Sequence, residues 1–207
     1  MTQTRLRCAR CQRPPKTCLC PFITPTANRT ELVILQHPLE VNNAKNTAGL
    51  LQLSLSLCQR HEGETFSEAF LHELLTRGGK INLLLYPPTA DAGVLSTPPP
   101  HLPNLTGVKP EQLRLILLDG TWRKSRKMLY LNPLLQQLPR LALTDCGPSR
   151  YHIRKAQGQD QLSSLEASCY ALRHLENEQV DYQPLLNAFD QFIARQLAFI
   201  PARLPSS

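Results

Sequence analysis

The sequence predicts an α/β protein built on a mostly parallel sheet flanked by helices, preceded by a small cysteine-rich module. Three observations carry this. The short apolar runs 31–35, 81–86 and 114–118 each have the length of a buried strand. Segments with leucines at helical spacing lie between and after them, and that alternation argues for parallel pairing. Four of the seven cysteines fall within residues 8–20.

Residues 1–28 read as a cysteine-rich module closed by a polar, proline-containing linker, and 29–207 as the main domain. Residues 31–35 are apolar and β-branched, a first strand. Residues 44–58 fit two patterns: Leu51, Leu53, Leu55 and Leu57 alternate like a strand, while Leu50, Leu53 and Leu57 share a helix face. Their Leu, Ala and Gln content and a start at Asn46-Thr47 favour helix. A short helix is expected over 67–76, ended by Gly78-Gly79. Residues 81–86 form a second strand stopped by Pro87-Pro88, and 87–112 a long Pro-, Gly- and Thr-rich loop of a length often tied to function. A third strand over 114–118 runs into a helix reaching about Leu131. Residues 141–144 suggest a fourth strand, and 146–161 a basic loop. Leu162, Leu165, Cys169 and Leu172, then Leu185, Leu186, Phe189, Phe192, Ile193 and Ile200, recur at helical spacing and predict two C-terminal helices on the sheet.

The 42% hydrophobic content of the 207 residues supports a core and argues against wholesale disorder. Lys and Arg number 23 against 16 Asp and Glu, a net charge of +7 that favours a polyanionic partner. The charge is concentrated: residues 1–20 hold five basic residues and no acid, and residues 119–155 hold eight basic residues against Asp119 and Asp145. No apolar segment follows the N-terminal charges as a secretory signal requires, and the longest apolar runs are far too short to span a bilayer. A soluble, cytoplasmic protein without a membrane partner is expected, with its odd number of cysteines used as metal ligands or thiols.

Cys8-x2-Cys11-x6-Cys18-x-Cys20 places four soft ligands close together, which suits structural Zn²⁺; four thiolates leave no open coordination position for catalysis. The C-x-C half is tighter than usual spacing. Cys58, Cys146 and Cys169 stand apart, Cys169 on an apolar helix face as core packing.

The stretch 115–122 ends a buried strand in Asp119-Gly120-Thr121-Trp122. In open α/β sheets the carboxyl ends of strands line the ligand crevice, so Asp119 there is a general base, a ligand contact or, with Thr121, merely a helix cap. Trp122, the only tryptophan, either stacks on a ring or plugs the core, and a lone tryptophan is more often core. Arg123, Lys124, Arg126 and Lys127 follow on the same predicted helix and are placed to track phosphates. Arg150, Tyr151, Arg154 and Lys155 mix basic groups with an aromatic ring, as RNA contacts do, or form an ordinary solvated loop. His37 and Glu40 after the first strand are, on their own, more often structural.

Taken together, these residues resemble the DTW-domain family, nearest its bacterial tRNA-uridine aminocarboxypropyltransferases. The resemblance rests on Cys8/Cys11/Cys18/Cys20, His37-Pro38-x-Glu40 with Asn46-Thr47-Ala48, Leu85-Tyr86-Pro87, Asp119-x-Thr121-Trp122, Tyr151-x-Ile153-Arg154 and Leu162-Ser163-Ser164-Leu165-Glu166-Ala167, in order along nearly the whole chain. One departure is Ser164, where the family has threonine. The resemblance implies a SPOUT-like fold, which can carry a C-terminal trefoil knot, and S-adenosylmethionine as donor. It implies transfer of the 3-amino-3-carboxypropyl group to N3 of a tRNA uridine in the variable loop, leaving 5′-methylthioadenosine. Asp119 is then the base that accepts the N3 proton, a role typically worth ~10²–10⁴-fold. Leu85, Tyr86, Thr121, Trp122, Ser163 and Leu165 form the donor pocket. His37, Glu40, Tyr151, the basic residues of both blocks and the N-terminal zinc module contact tRNA, the cysteines hold Zn²⁺, and the chain acts as a monomer. An RNA methyltransferase using the same donor, or a non-enzymatic zinc-containing RNA-binding protein, are the competing readings. No G-x-G-x-x-G or G-x-x-x-x-G-K-[ST] motif supports a nucleotide-phosphate enzyme.

Overall fold

Five strands, β1 (Glu31–Gln36), β2 (Cys58–Glu62), β3 (Ile81–Leu85), β4 (Leu113–Asp119) and β5 (Arg140–Leu141), pair entirely in parallel in the order β2-β1-β4-β3-β5. The computed structural model describes residues 6–41, 43, 47–87, 98–143 and 162–198. Between and after the strands lie α1 (Ala48–Ser54), α2 (Glu68–Thr76), α3 (Trp122–Leu131), α4 (Pro133–Gln136), α5 (Ser164–Leu175) and α6 (Gln183–Ala198).

Strands β1 and β4 are buried at every position, as central parallel strands covered on both faces must be. Alternate residues serve two cores. Leu32, Ile34, Leu83, Leu115 and Leu117 face α1, α5 and α6, packing with Leu50, Leu51, Cys169, Leu172, Leu185, Phe189 and Phe192. Val33, Leu35, Leu84, Ile116 and Leu118 face α2, α3 and α4, packing with Leu71, Leu74, Met128, Leu129 and Leu135.

The predicted helix over 44–58 is shorter than expected, and its last residue begins β2, a strand absent from the sequence prediction. Cys58-Gln-Arg-His-Glu62 is polar and only half-buried because it is a sheet edge, so no apolar run marks it. Residues 141–144 were expected to form a strand; β5 is Arg140–Leu141, the fifth strand, paired with β3. The expected stop after the 67–76 helix is real. Gly78 and Gly79 adopt φ of 72° and 58°, the left-handed region where glycine carries no Cβ penalty.

Two polar clusters close the end of the sheet opposite the candidate site. At the start of β1, Glu31 pairs with Arg114 (Nε–Oε2 3.0 Å), Arg77 (2.8 Å) and Lys80 (3.1 Å). Arg114, almost wholly buried, also donates to the carbonyls of Leu74 and Arg77. Glu176, after α5, accepts from the backbone N–H groups of Arg29 and Thr30 and from the Tyr182 hydroxyl, tying the C-terminal helices to the entry of β1. The cysteine-rich segment joins the α6 side of the core: Leu19 and Phe22 are buried there, and the Phe22 and Phe192 rings meet edge-on at 5.6 Å. No described helix is long and apolar enough to cross a membrane.

Candidate functional site

The carboxyl ends of β1, β3 and β4 and the start of α5 converge on Asp119. This last residue of β4 is buried, and both of its carboxylate oxygens accept hydrogen bonds. Gln36 Nε2, from the end of β1, donates to Oδ2 at 2.7 Å, and Ser164 Oγ, the first residue of α5, donates to Oδ1 at 2.6 Å. The Asp119 carbonyl accepts from the backbone N–H of His37 at 2.9 Å. Neither Asp119 nor Thr121 acts as the helix cap weighed above: α3 begins without a side-chain capping bond. The chain turns through Gly120, where an added Cβ would lie 3.1 Å from Lys124 Cβ and 3.6 Å from His37 Cβ, so the turn is too close for a larger residue without displacement.

Trp122 does not plug the core. It is half-exposed and stacks on the buried ring of Tyr86, with centroids 5.2 Å apart and planes 15° from parallel. Tyr86 follows β3, and Arg140 of β5 sits over its ring at 5.3 Å. An exposed indole supported on a buried ring offers a stacking face that fits the flat ring of a nucleoside.

The other predicted pocket residues divide. Thr121 is exposed beside Trp122. Leu85 and Leu165 are buried together in the α5 and α6 core and present little or no side-chain surface. Ser163 is the N-cap of α5: its Oγ accepts from Glu166 N–H, and Glu166 Oε2 accepts from the Ser163 backbone and hydroxyl. The neighbouring Ser164, half-buried, is the serine that reaches Asp119.

His37 and Glu40 are buried. His37 Nδ1 accepts from Leu39 N–H, so its Nε2 carries the proton of the neutral ring and donates to Glu64 at 2.9 Å. Lys127 Nζ pairs with the other Glu64 oxygen at 2.9 Å, and these two hydrogen bonds hold the Glu64 carboxyl below its ordinary range. Glu40 takes Lys124 Nζ at 2.6 Å, and that bond holds its carboxyl low as well. Lys124 and Lys127 thus fasten α3 to the loops after β1 and β2, while Arg123 and Arg126 stand exposed on the same helix. Arg150, Tyr151, Arg154 and Lys155 lie outside the described residues, as does Cys146. Gln36, Glu64 and Ser164 were not anticipated as site residues. A polar residue closing an apolar strand points to Gln36, and the Leu162–Ala167 motif contains Ser164; no such signal marks Glu64.

The four N-terminal cysteines do come together. Their Sγ atoms all lie within 4.8 Å of one another, with Cys8–Cys20 at 3.4 Å and Cys11–Cys18 at 3.7 Å. Tetrahedral zinc with Zn–S of about 2.3 Å requires sulfurs ~3.8 Å apart, so the cluster fits a metal of that size. Gln12 after Cys11 has φ of 57°, which lets the loop turn back so that its N–H donates to the Cys8 carbonyl. The N–H groups of Cys11 and Arg10 point at the Cys8 sulfur and lower its pKa to about 6, while hydrogen bonding from Cys8 pushes Cys20 up to about 12. Burial raises Cys58 to about 12 and raises Cys169 too, so both stay protonated packing residues.

The DTW domain profile matches residues 5–197. The tRNA-uridine aminocarboxypropyltransferase 2 of Macaca fascicularis is 34% identical over 202 residues, covering 93% of this chain and 64% of that protein. The protein of the same name from Mus musculus is 33% identical over 204 residues (94% and 65%), and that from Drosophila melanogaster 32% over 199 residues (93% and 76%). The chain thus spans just under two thirds of the length of the first two relatives. No solved structure matches it. A profile match over nearly the entire chain, on residues that the fold gathers around Asp119, shows that the chain belongs to the DTW domain family.

Proposed function

We propose that this chain transfers the 3-amino-3-carboxypropyl group of S-adenosylmethionine to N3 of a tRNA uridine. The observation that carries the reading is the grouping of Asp119, Ser164 and the exposed Trp122–Tyr86 stack at one end of the sheet. Relatives matched over 93% of the chain carry the name tRNA-uridine aminocarboxypropyltransferase, which supports the transferred group and the acceptor base. The donor supplies a methylene carbon activated by the adjacent positive sulfur, which departs as 5′-methylthioadenosine.

The chain's own residues divide the work. Trp122, braced by Tyr86, holds a flat ring against the carboxyl ends of β3 and β4. Asp119 is buried, so Ser164 is the surface end of the pair. In the proposed step the Ser164 hydroxyl takes the uridine N3 proton as its own proton passes to Asp119 over the existing 2.6 Å bond. The N3 electron pair then forms the N–C bond as the C–S bond breaks and its electrons remain on sulfur. Gln36 holds the second Asp119 oxygen, so the carboxylate cannot rotate away from Ser164. The basic residues Arg123 and Arg126 face the RNA. The four cysteines hold a structural Zn²⁺ in the same reading, and the chain works as a cytoplasmic monomer. A SPOUT-like topology, knot included, belongs to this reading too; residues 144–161, where the chain passes from β5 to α5, lie outside those described.

The test is incubation with unmodified tRNA and S-adenosylmethionine, followed by mass analysis of nucleosides and spent donor. The expected result is a uridine heavier by about 101 Da together with 5′-methylthioadenosine. A gain of about 14 Da with S-adenosylhomocysteine would replace it with methyl transfer, and binding of RNA without any product would replace it with a non-enzymatic role.

A further inference from the structure

A cavity of about 500 Å³ lies where the cysteine-rich segment meets α1 and β2, and neither Trp122 nor Tyr86 is part of its lining. Arg7, Arg10, Arg13 and Arg60 line it, and among the described residues no Asp or Glu does. Its volume is within the roughly 300–1,000 Å³ of ligand-binding clefts. Gln52 on α1 and Asn43 add side-chain amides to its wall. The seam exists because α1 carries Gly49: a Cβ there would come within 3.1 Å of Leu19 Cδ1. The charge is more than a counterweight to the cysteine sulfurs, since Arg60 enters from β2, outside the cysteine module. Among the described residues Arg60 pairs with the carboxylate of Glu62 at 3.4 Å, which is half-exposed and does not line the cavity.

Arg60 also links this cavity to the candidate site. Its Nη1 donates to Gln36 Oε1 at 3.2 Å, and Gln36 Nε2 donates to Asp119. An anion that draws the Arg60 guanidinium into the cavity therefore competes with its bond to the side chain that orients Asp119.

From this the geometry points to a second RNA-contact surface: the arginine-lined cavity between the cysteine module and β2 holds the sugar–phosphate backbone of the RNA substrate, and Arg60 reports that occupancy to Asp119 through Gln36. It rests on the proposed tRNA-modifying function. Guanidinium forks match phosphate oxygens bidentately, and four of them around one cavity suit a bent run of phosphodiesters. A small nucleotide ligand would require a ring-stacking face, and no aromatic residue among those described lines the cavity.

The experiment measures tRNA binding by the full chain across a salt series, using an Arg10→Gln/Arg13→Gln variant and, separately, Gln52→Glu. The first removes two donors and the second places a carboxylate on α1, outside the cysteine-rich segment, so one variant remains if the other misfolds. Both are expected to bind tRNA at least ~10-fold more weakly at low salt. The Arg variant should flatten the slope of log affinity against log salt by about one per lost phosphate contact. Unchanged affinity and slope in the folded Gln52→Glu variant would overturn the proposal. If instead the wild-type chain binds tRNA through this cavity but transfers no aminocarboxypropyl group, the function reading fails while the cavity stands; transfer with unaltered binding in the variants gives the reverse.

Discussion

Ser164 Oγ donates to Asp119 Oδ1 at 2.6 Å, joining residues 45 positions apart at the first turn of α5 and the last position of β4. The bond couples a buried carboxylate to a partly exposed hydroxyl, the pair proposed above to carry the N3 proton. Asp119→Asn retains a hydrogen-bond acceptor but lacks a proton-accepting carboxylate. Its expected turnover is ~10²-fold or more below wild type, with donor binding nearly unchanged. Release of 5′-methylthioadenosine under single turnover, with the donor Kd from calorimetry, is the check. Full turnover in a folded Asp119→Asn chain would remove Asp119 as proton acceptor.

Trp122 is the sole tryptophan, so its fluorescence reports on the stack with Tyr86 without ambiguity. S-Adenosylmethionine is expected to quench it on titration. Trp122→Ala should weaken donor affinity by ~1–3 kcal/mol, the usual worth of a ring-stacking contact, while Trp122→Phe retains most of it. Because the indole is half-exposed, thermal stability should change little in either variant.

Glu31 is the hub of the cluster with Arg114, Arg77 and Lys80. Glu31→Ala leaves Arg114 buried without its carboxylate and should cost about 3 kcal/mol in urea unfolding. Burial pushes the Glu31 carboxyl up, but the Lys80 hydrogen bond and the Arg114 charge outweigh it and hold its pKa below the ordinary 4.5. A depressed folded-state pKa contributes stability that is fully present above about 4.5 and is lost as pH falls through the lower folded value. Urea midpoints measured between neutral pH and pH 3 should therefore fall more steeply for wild type than for Glu31→Gln.

Metal analysis of the purified chain should return one zinc per molecule, and Cys11→Ser should reduce it. Chelation should lower the melting temperature, because Leu19 and Phe22 of the same segment are part of the α6-side core. A melting curve unmoved by removal of bound metal would show that the cysteines do not support the fold.

Much of this architecture could be read from local pattern. Central strands such as β4 announce themselves as apolar runs, Gly78-Gly79 marks the end of α2, and Ser163-x-x-Glu166 carries the spacing of a capping box. The four cysteines are close in sequence and close in space. These features depend on neighbours a few residues apart, and short-range chemistry suffices to specify them.

What the sequence by itself determined was therefore the α/β class, the buried strands, the cysteine cluster and the Asp119-Gly120-Thr121-Trp122 turn at the end of a buried strand. Tertiary structure alone decided what those residues do to one another. It paired polar β2 at a sheet edge, turned Trp122 outward onto Tyr86, buried His37 in a hydrogen bond to Glu64 and Glu40 in an ion pair with Lys124, and brought Gln36 and Ser164 to Asp119. The physical reason is range. Periodicity records which face of an element is shielded from water, whereas a hydrogen bond between residues 45 or 83 positions apart depends on how parallel strands are ordered, and no local signal carries that order.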